Sequence, residues 1–176
     1  MITIRPAAPS DVPALKALLA PHVERGNILH RDVDWEAFQI ALEGDLIVGA
    51  VALTPQSKRI VELGSLVSNR PGLGLGRRLV NAAIEHAVRS NYEVVMALSG
   101  LTDFFEKLGF ATAPHAPWIS ARRALKMAAP MPLNPDANAI EAAETKAMTC
   151  RVCPRLTTCR QALLMRPLHV HRRKRA

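Results

Sequence analysis

An almost unbroken apolar segment, residues 46–53, limits the architectures open to this chain of 176 residues. Gly44 and Asp45 precede it and predict a tight turn. Because neither side of the segment is polar, the pattern is typical of a strand that is buried on both faces. Such a strand belongs in a sheet that is covered by helices, so the fold is expected to contain both element types.

The other segments of the first 112 residues alternate between the two types. Strands are predicted over residues 2–5, 58–68, 94–98 and 110–112. Helices are predicted over residues 10–26, with a break or kink at Pro21, and over 34–42, 74–89 and 102–108. The expected fold class is therefore α/β or α+β, with helices packed on a sheet.

Composition and charge divide the chain into three parts. Residues 1–128 form the predicted domain, residues 129–136 a proline-rich linker, and residues 137–176 a C-terminal extension that begins with a predicted helix. The formal net charge is +8. Residues 1–150 hold 15 Lys or Arg and 15 Asp or Glu, whereas residues 151–176 hold 8 Lys or Arg and no acid. The excess charge therefore belongs to the extension.

Several classes of protein do not fit this composition. An aromatic content of 4% disfavours a stacking surface for single-stranded nucleic acid. No apolar run approaches the roughly 20 residues of a membrane helix, so no membrane partner is expected. The N-terminus is predicted to be a strand rather than a signal peptide, which predicts a cytoplasmic protein with reduced cysteines.

The segment between the predicted strand 58–68 and the following helix has glycine at alternate positions, Gly72, Gly74 and Gly76. Backbone N–H groups in such a loop, together with the helix N-terminus, predict an anion site, and Arg77 and Arg78 add charge there. The spacing matches neither a Walker A loop nor a dinucleotide G-x-G-x-x-G motif. The alternative is a tight turn in which glycine provides a positive φ.

Four signatures in order make residues 1–127 similar to the GNAT N-acetyltransferase superfamily. They lie at residues 4–11, at the strand 61–68, at the glycine loop and at residues 104–110, which end in Lys-Leu-Gly-Phe. Pro71 stands where the family loop, Arg/Gln-x-x-Gly-x-Gly/Ala, begins. The resemblance implies a central mixed, mostly antiparallel sheet flanked by helices; the helical, cysteine-containing extension lies beyond the part that it covers.

The same resemblance implies that acetyl-CoA is the cosubstrate. The backbone of Leu66 and Val67 would pair with the pantetheine arm, the loop would hold the pyrophosphate, and Phe105 would wall the cleft. The arginines near the loop would supply the charge lost at Pro71. The implied cofactor residues are Leu66, Val67, Arg70, Gly72, Leu73, Gly74, Leu75, Gly76, Arg77 and Phe105.

Acetylation of a primary amine requires that the amine, with a pKa of about 8 for an α-amine, first lose a proton. Glu62, on the strand before the loop, is the candidate base and would act through a water molecule in a direct attack within a ternary complex. The alternative is a carboxylate on a solvated sheet face. Phe105 occupies the position at which many family members carry a Tyr acid, so solvent or substrate would protonate the leaving thiolate.

Within the superfamily the chain is most similar to short N-acetylglutamate synthases and related amino-acid N-acetyltransferases. Arg31 lies in a segment that resembles their carboxylate-binding segment; the alternative is an ordinary surface arginine. Ser99 begins a Ser-Gly-Leu segment where that group has Thr-Thr-Arg or Ser-Thr-Arg, so the arginine for an acidic substrate is missing. The implied substrate is an amino acid or a similar small amine.

The extension contains all three cysteines, Cys150, Cys153 and Cys159, in a C-x2-C-x5-C pattern. This spacing predicts a zinc site, with His169 or His171 as the fourth ligand, or an iron–sulfur cluster. The alternative is a helical extension with free thiols that packs on the domain or on a second subunit of a homodimer.

The chain ends in a basic run, residues 169–175. Such runs are usually solvated tails, but this one could contact nucleic acid. A second functional hypothesis follows. In it, a non-catalytic, GNAT-shaped module binds RNA, the ribosome or a protein partner through this tail.

Overall fold

A computed structural model describes residues 1–28, 33–112 and 161–168. The chain divides into two compact units. The first unit comprises Met1–Pro55 and Glu62–Asn91, and the second comprises Gln56–Val61 and Tyr92–Ala176.

The first unit contains three complete strands, most of a fourth and two helices. The strands are β1 (Ile2–Pro6), β2 (Phe38–Glu43), β3 (Leu46–Pro55) and β4 (Ile60–Ser68), and the helices are α1 (Val12–Glu24) and α2 (Leu75–Arg89). Strand β2 lies between β1 and β3 and is antiparallel to both. Every residue of β3 from Ile47 to Leu53 is buried, as the apolar segment predicts.

Both helices of the first unit pack against the strands through apolar faces. Leu15, Leu18 and Leu19 of α1 join one core cluster with residues of β2, β3 and β4. Helix α2 approaches β3 closely at Gly49, where an added Cβ would lie 3.0 Å from Cδ1 of Leu79. A side chain at this position would push α2 away from the sheet, so the glycine allows the helix to pack closely on β3.

The second unit is built around β5 (Val94–Ser99), with α3 (Thr102–Glu106), β6 (Ala111–Thr112) and β7 (Ala162–Pro167). Strand β7 lies between β5 and β6 and is antiparallel to both. The core of the second unit contains Met96 and Leu163, which are completely buried, together with Ile60 at the start of β4. The described residues therefore form a mixed α/β fold with seven strands, mostly antiparallel, and flanking helices, which confirms the predicted fold class.

Two predicted elements differ from the structure. Residues 34–42 were predicted to be helical, but only a 3-10 turn, Trp35–Ala37, precedes β2. This prediction is wrong because Phe38 to Ala41 are all buried, which hides the alternation of a strand. Helix α1 also continues through Pro21 and ends at Glu24, so the proline falls in the last turn without ending the helix.

Strand β7 is the element that the sequence did not predict. Its six residues fall within the C-terminal extension, yet all six pair with β5. This part of the extension is therefore integral to the fold. The linker at 129–136, the helix beginning at residue 137 and the division at residue 128 lie outside the described residues and stay predictions.

Candidate functional site

The glycine loop, residues 70–77, connects β4 to α2 and lies open. Gly72 and Gly74 have φ values of +78° and +66°, which side-chain-bearing residues adopt only with strain. A Cβ added at either glycine would meet no heavy atom within 4 Å. The tight-turn interpretation is thus correct for these two glycines. The empty space beside both is also what a ligand would need to reach the backbone.

The N-terminal turn of α2 ends the loop, and its first N–H groups have no acceptor within the helix. Arg78 N makes the first helical hydrogen bond, to Gly74 O at 3.1 Å, so the N–H groups of Leu75, Gly76 and Arg77 precede the helical ladder. Leu75 is 1% exposed and fixes this turn to the core, whereas Leu73 is 63% exposed. An anchored helix start whose first N–H groups have no acceptor within the helix is suited to an anionic ligand.

The three arginines around the loop differ in what they contact. Arg78 donates from Nη2 to Ile2 O at 2.7 Å, which ties α2 to β1. Arg70 donates from Nε to Oε2 of Glu43 at 2.9 Å and is half-buried. Arg77 is exposed, and among the residues that the structure describes no hydrogen bond or ion pair engages its guanidinium. Arg77 is therefore the arginine of this group that is available to a phosphate.

Glu62 lies in the buried half of β4. It is 6% exposed, and within the described ranges it is the one acidic or basic side chain that is buried. The alternative of a solvated carboxylate is thus wrong. Buried carboxylates are usually paired, and Glu62 does make an interaction. It stays the candidate base because of its place on β4, two residues before the half-buried segment that begins at Gly64.

Strand β4 changes character beyond Glu62. Ser65 has a φ of +46°, an uncommon conformation for a residue other than glycine, and Gly64 to Leu66 are half-buried. Such an irregularity interrupts the regular pairing of a strand. Leu66, predicted to contact the pantetheine arm, follows it directly, and Val67 is 3% exposed.

The predicted residues of the second unit have structural contacts of their own. Phe105 is buried and packs edge-to-face against Phe104 and Phe110, with ring centroids 5.1 Å apart in both pairs. Ser99 Oγ accepts a hydrogen bond from Leu101 N at 3.0 Å at the start of α3. Phe105 is therefore a packing residue of its unit, and Ser99 helps to begin α3.

Other predicted site residues lie outside the described residues: Arg31, Cys150, Cys153, Cys159, His169 and His171. Among the residues that are described, no group of three or more His, Cys, Asp or Glu could hold a metal ion. The described helices also include none long and apolar enough to cross a membrane.

The sequence profile of the acetyltransferase (GNAT) family matches residues 13–110. The match spans more than half of the chain and includes β4, the glycine loop and α3. The chain therefore belongs to the GNAT family of acetyltransferases, which confirms the resemblance. No curated protein sequence matches it significantly.

Solved structures agree with this family. N-acetylglutamate synthase from Neisseria gonorrhoeae, complexed with coenzyme A and N-acetyl-glutamate, is 25% identical, with a TM-score of 0.69 over 96% of this chain. The match covers 35% of that protein, so this chain spans about a third of its length.

Two further structures share the fold. Rv2747 from Mycobacterium tuberculosis, in complex with CoA, is 21% identical, with a TM-score of 0.65 over 94% of this chain and 99% of that one. The acetyltransferase yncA from Salmonella typhimurium, with its cofactor acetyl-CoA, is 22% identical, with a TM-score of 0.57 over 65% of this chain and 82% of that one.

Sequence reasoning missed two features of this site. Arg70 pairs with Glu43, 27 positions away in the sequence, and no local sequence pattern predicts this ion pair. The positive φ of Ser65 is not predictable from the sequence either, because its neighbour Gly64 is the residue that would be expected to take a positive φ.

Proposed function

We propose that this protein transfers an acetyl group from acetyl-CoA to the primary amine of an amino acid or a similar small molecule. The observation that carries the proposal is the open glycine loop, in which Gly72 and Gly74 leave the backbone accessible ahead of α2. Membership of the GNAT family supports this chemistry, and CoA or acetyl-CoA is present in the three similar structures.

In this proposal the pyrophosphate of acetyl-CoA lies against the backbone of residues 72–76. The N–H groups at the start of α2 donate hydrogen bonds to it, and Arg77 adds the charge that Pro71 cannot provide. Proline at position 71 costs one N–H donor, but the donors at residues 72–76 remain. The pantetheine arm then runs along the irregular end of β4, at Leu66 and Val67.

Glu62 is the proposed general base. The amine transfers its proton to this carboxylate directly or through water, and the nitrogen lone pair then attacks the thioester carbon. The C–N bond forms, the C–S bond breaks and CoA leaves as a thiolate. After the attack the nitrogen of the tetrahedral intermediate still carries one proton too many for an amide. Phe105 offers no proton, so the sulfur receives either this proton or one from solvent, and in the second case the nitrogen gives its proton to solvent.

The substrate class is argued from similarity. N-acetylglutamate synthase from N. gonorrhoeae, which is solved with N-acetyl-glutamate, is 25% identical to this chain. Ser99, Gly100 and Leu101 replace the arginine-bearing segment expected for an acidic substrate, which favours an acceptor other than glutamate. A homodimer, a tail that contacts nucleic acid and a metal at the cysteine cluster stay predictions, because they depend on residues outside the described ranges.

The catalytic proposal is tested by Glu62→Gln, which keeps the shape of the side chain and removes the base. Turnover at saturating acetyl-CoA should fall about 100-fold, in the usual range for a general base, and the acidic limb of the pH–rate profile should disappear. Affinity for acetyl-CoA should remain within about twofold, since the proposal assigns the pyrophosphate to the loop and not to Glu62. CoA-thiol release measures the rate, and calorimetry measures the affinity.

The amine itself is identified by the same assay with amino acids, polyamines and peptide N-termini as acceptors. Faster thiol release with free amino acids supports the proposed class. Preference for polyamines or peptides would contradict it. An unchanged pH profile in Glu62→Gln would mean that another group removes the proton.

A further inference from the structure

We propose that Arg70 and Glu43 form a positioning pair that holds the start of the glycine loop in the shape that binds CoA. Arg70 thus acts through its partner rather than as a phosphate ligand. The inference rests on the proposed function, since it concerns the loop that holds acetyl-CoA. It differs from the sequence-based expectation, in which Arg70 supplied the charge that Pro71 lacks.

The contacts of Arg70 all point back into the protein. Its Nε and Nη2 both donate to Oε2 of Glu43, at 2.9 and 2.5 Å, and its Nη1 donates to Asn69 O at 3.2 Å. All three guanidinium nitrogens are therefore engaged within the first unit. These bonds use three of its five N–H groups, and the edge formed by Nε and Nη2 faces Glu43, so a phosphate that bound this edge would have to displace the carboxylate.

The residues just before Pro71 are fixed in the same way. Ser68 Oγ accepts a hydrogen bond from Arg70 N at 3.2 Å, and Asn69 N donates to Val48 O at 2.9 Å. Glu43 is the last residue of β2, so its carboxylate links the loop to the second strand of the sheet. Together these bonds hold one end of the loop.

The other end of the loop is held by Leu75, which is 1% exposed in the core. Residues 71–74 between the two ends are exposed, and their glycines have no side chain with which to fix themselves. The conformation of these residues is therefore set by its two ends. Loss of the Glu43 contact releases one end, and the free protein then samples loop shapes that cannot bind pyrophosphate.

Substitutions of Glu43 separate this proposal from direct phosphate binding by Arg70. If Arg70 were the phosphate ligand, Glu43→Ala would free its guanidinium, and CoA would bind equally well or more tightly. If the pair positions the loop, Glu43→Ala loosens it, and CoA binds more weakly. The two accounts therefore predict opposite changes in CoA affinity when the negative charge of Glu43 is removed.

The experiment is calorimetry of CoA with the full chain and three variants, Glu43→Ala, Glu43→Gln and Glu85→Gln. We expect Glu43→Ala to weaken binding by about twofold to fivefold, within the range for an exposed ion pair, and Glu43→Gln to fall between it and the parent. Glu85→Gln is the matched control. It removes the same charge from an exposed side chain of α2 whose carboxylate is 3.9 Å from Arg89, and it should change nothing.

Kinetics provide the second readout. A positioning role predicts that Glu43→Ala raises the KM for acetyl-CoA and leaves kcat within about twofold, because saturating cosubstrate selects the competent loop. Unchanged or tighter CoA binding in Glu43→Ala, in a variant with parental thermal stability, would overturn the proposal. If the parent protein itself fails to bind CoA, the proposed function is wrong, which is a different result.

Discussion

Two turns of this molecule contain glycine in the same left-handed conformation and differ in what surrounds it. Gly74, in the glycine loop, has a φ of +66° and nothing within 4 Å of an added Cβ. Gly109, after α3, has a φ of +78°, and the Nε of Arg166 lies 3.6 Å from an added Cβ. The first turn is open, whereas the second is covered by a side chain of β7.

The covered turn is part of the packing of the second unit. Arg166 passes over Gly109 and donates from Nη1 to Leu108 O at 2.5 Å, while the neighbouring residues of β7 pair with β5 and β6. Its glycine is needed for the fold alone. The open turn has the same conformational requirement without such a neighbour, so its accessible backbone can serve a ligand. Openness alone does not make a site, because Gly44 between β2 and β3 has a φ of +60° and is equally open. The glycine loop is the candidate because it also includes the start of α2 and Arg77.

The largest expected effect tests the packing role of β7. Leu164 is completely buried in this strand, and Leu164→Ala should lower the free energy of unfolding by about 2–5 kcal/mol, because it leaves a cavity. Chemical denaturation of the full chain measures the change. A loss below about 0.5 kcal/mol, the size typical of a surface substitution, would mean that β7 is not part of the folded core.

A smaller effect is expected from the Arg5–Asp11 ion pair of the first unit, which should contribute to stability but not to CoA binding. Arg5 donates to Asp11 at 2.7 Å, and this hydrogen bond is the main cause that lowers the pKa of Asp11 from its ordinary 3.8. The stability that this ion pair contributes is therefore fully present above pH 3.8, the ordinary pKa of the unfolded chain. It is lost as pH falls through the lower pKa of Asp11 in the folded state. The Arg5 side chain is 43% exposed and solvent screens the pair, so this contribution should be at most about 1 kcal/mol.

Asp11→Asn measures this contribution. Between pH 5 and pH 2 the variant should lose less stability than the parent, as followed by thermal unfolding at several pH values. At neutral pH its CoA affinity should equal that of the parent, because Asp11 contacts Arg5 and Ala8 rather than the loop. Parallel acid profiles for the two proteins would show that the ion pair contributes nothing.

The sequence predicted those parts of the fold and site that are encoded locally. The apolar segment predicts β3, and the helical periodicity after Gly74 predicts α2. Both patterns, like the glycine loop, are formed by residues that are adjacent in the sequence. Strand β2 was misread because it is buried on both faces and follows a helical turn. Strand β7 could not be read from its surroundings, since its partner β5 lies more than 60 residues earlier.

The site follows the same rule. The glycines of the loop are visible in the sequence, because their spacing is local. Arg70 pairs with Glu43, whereas no described residue engages the guanidinium of Arg77. This difference depends on contacts between distant segments, which the local sequence does not encode.

The measurement that tests the central claim most directly is calorimetry of CoA with Gly74→Ala and Gly109→Ala. Both substitutions place a side chain at a positive φ, and each should cost about 1 kcal/mol of stability. The account predicts that Gly74→Ala weakens CoA binding at least about tenfold, since its Cβ occupies the open face of the loop, while Gly109→Ala stays within about twofold of the parent. Equal affinities for the two variants would contradict the assignment of the glycine loop as the CoA site.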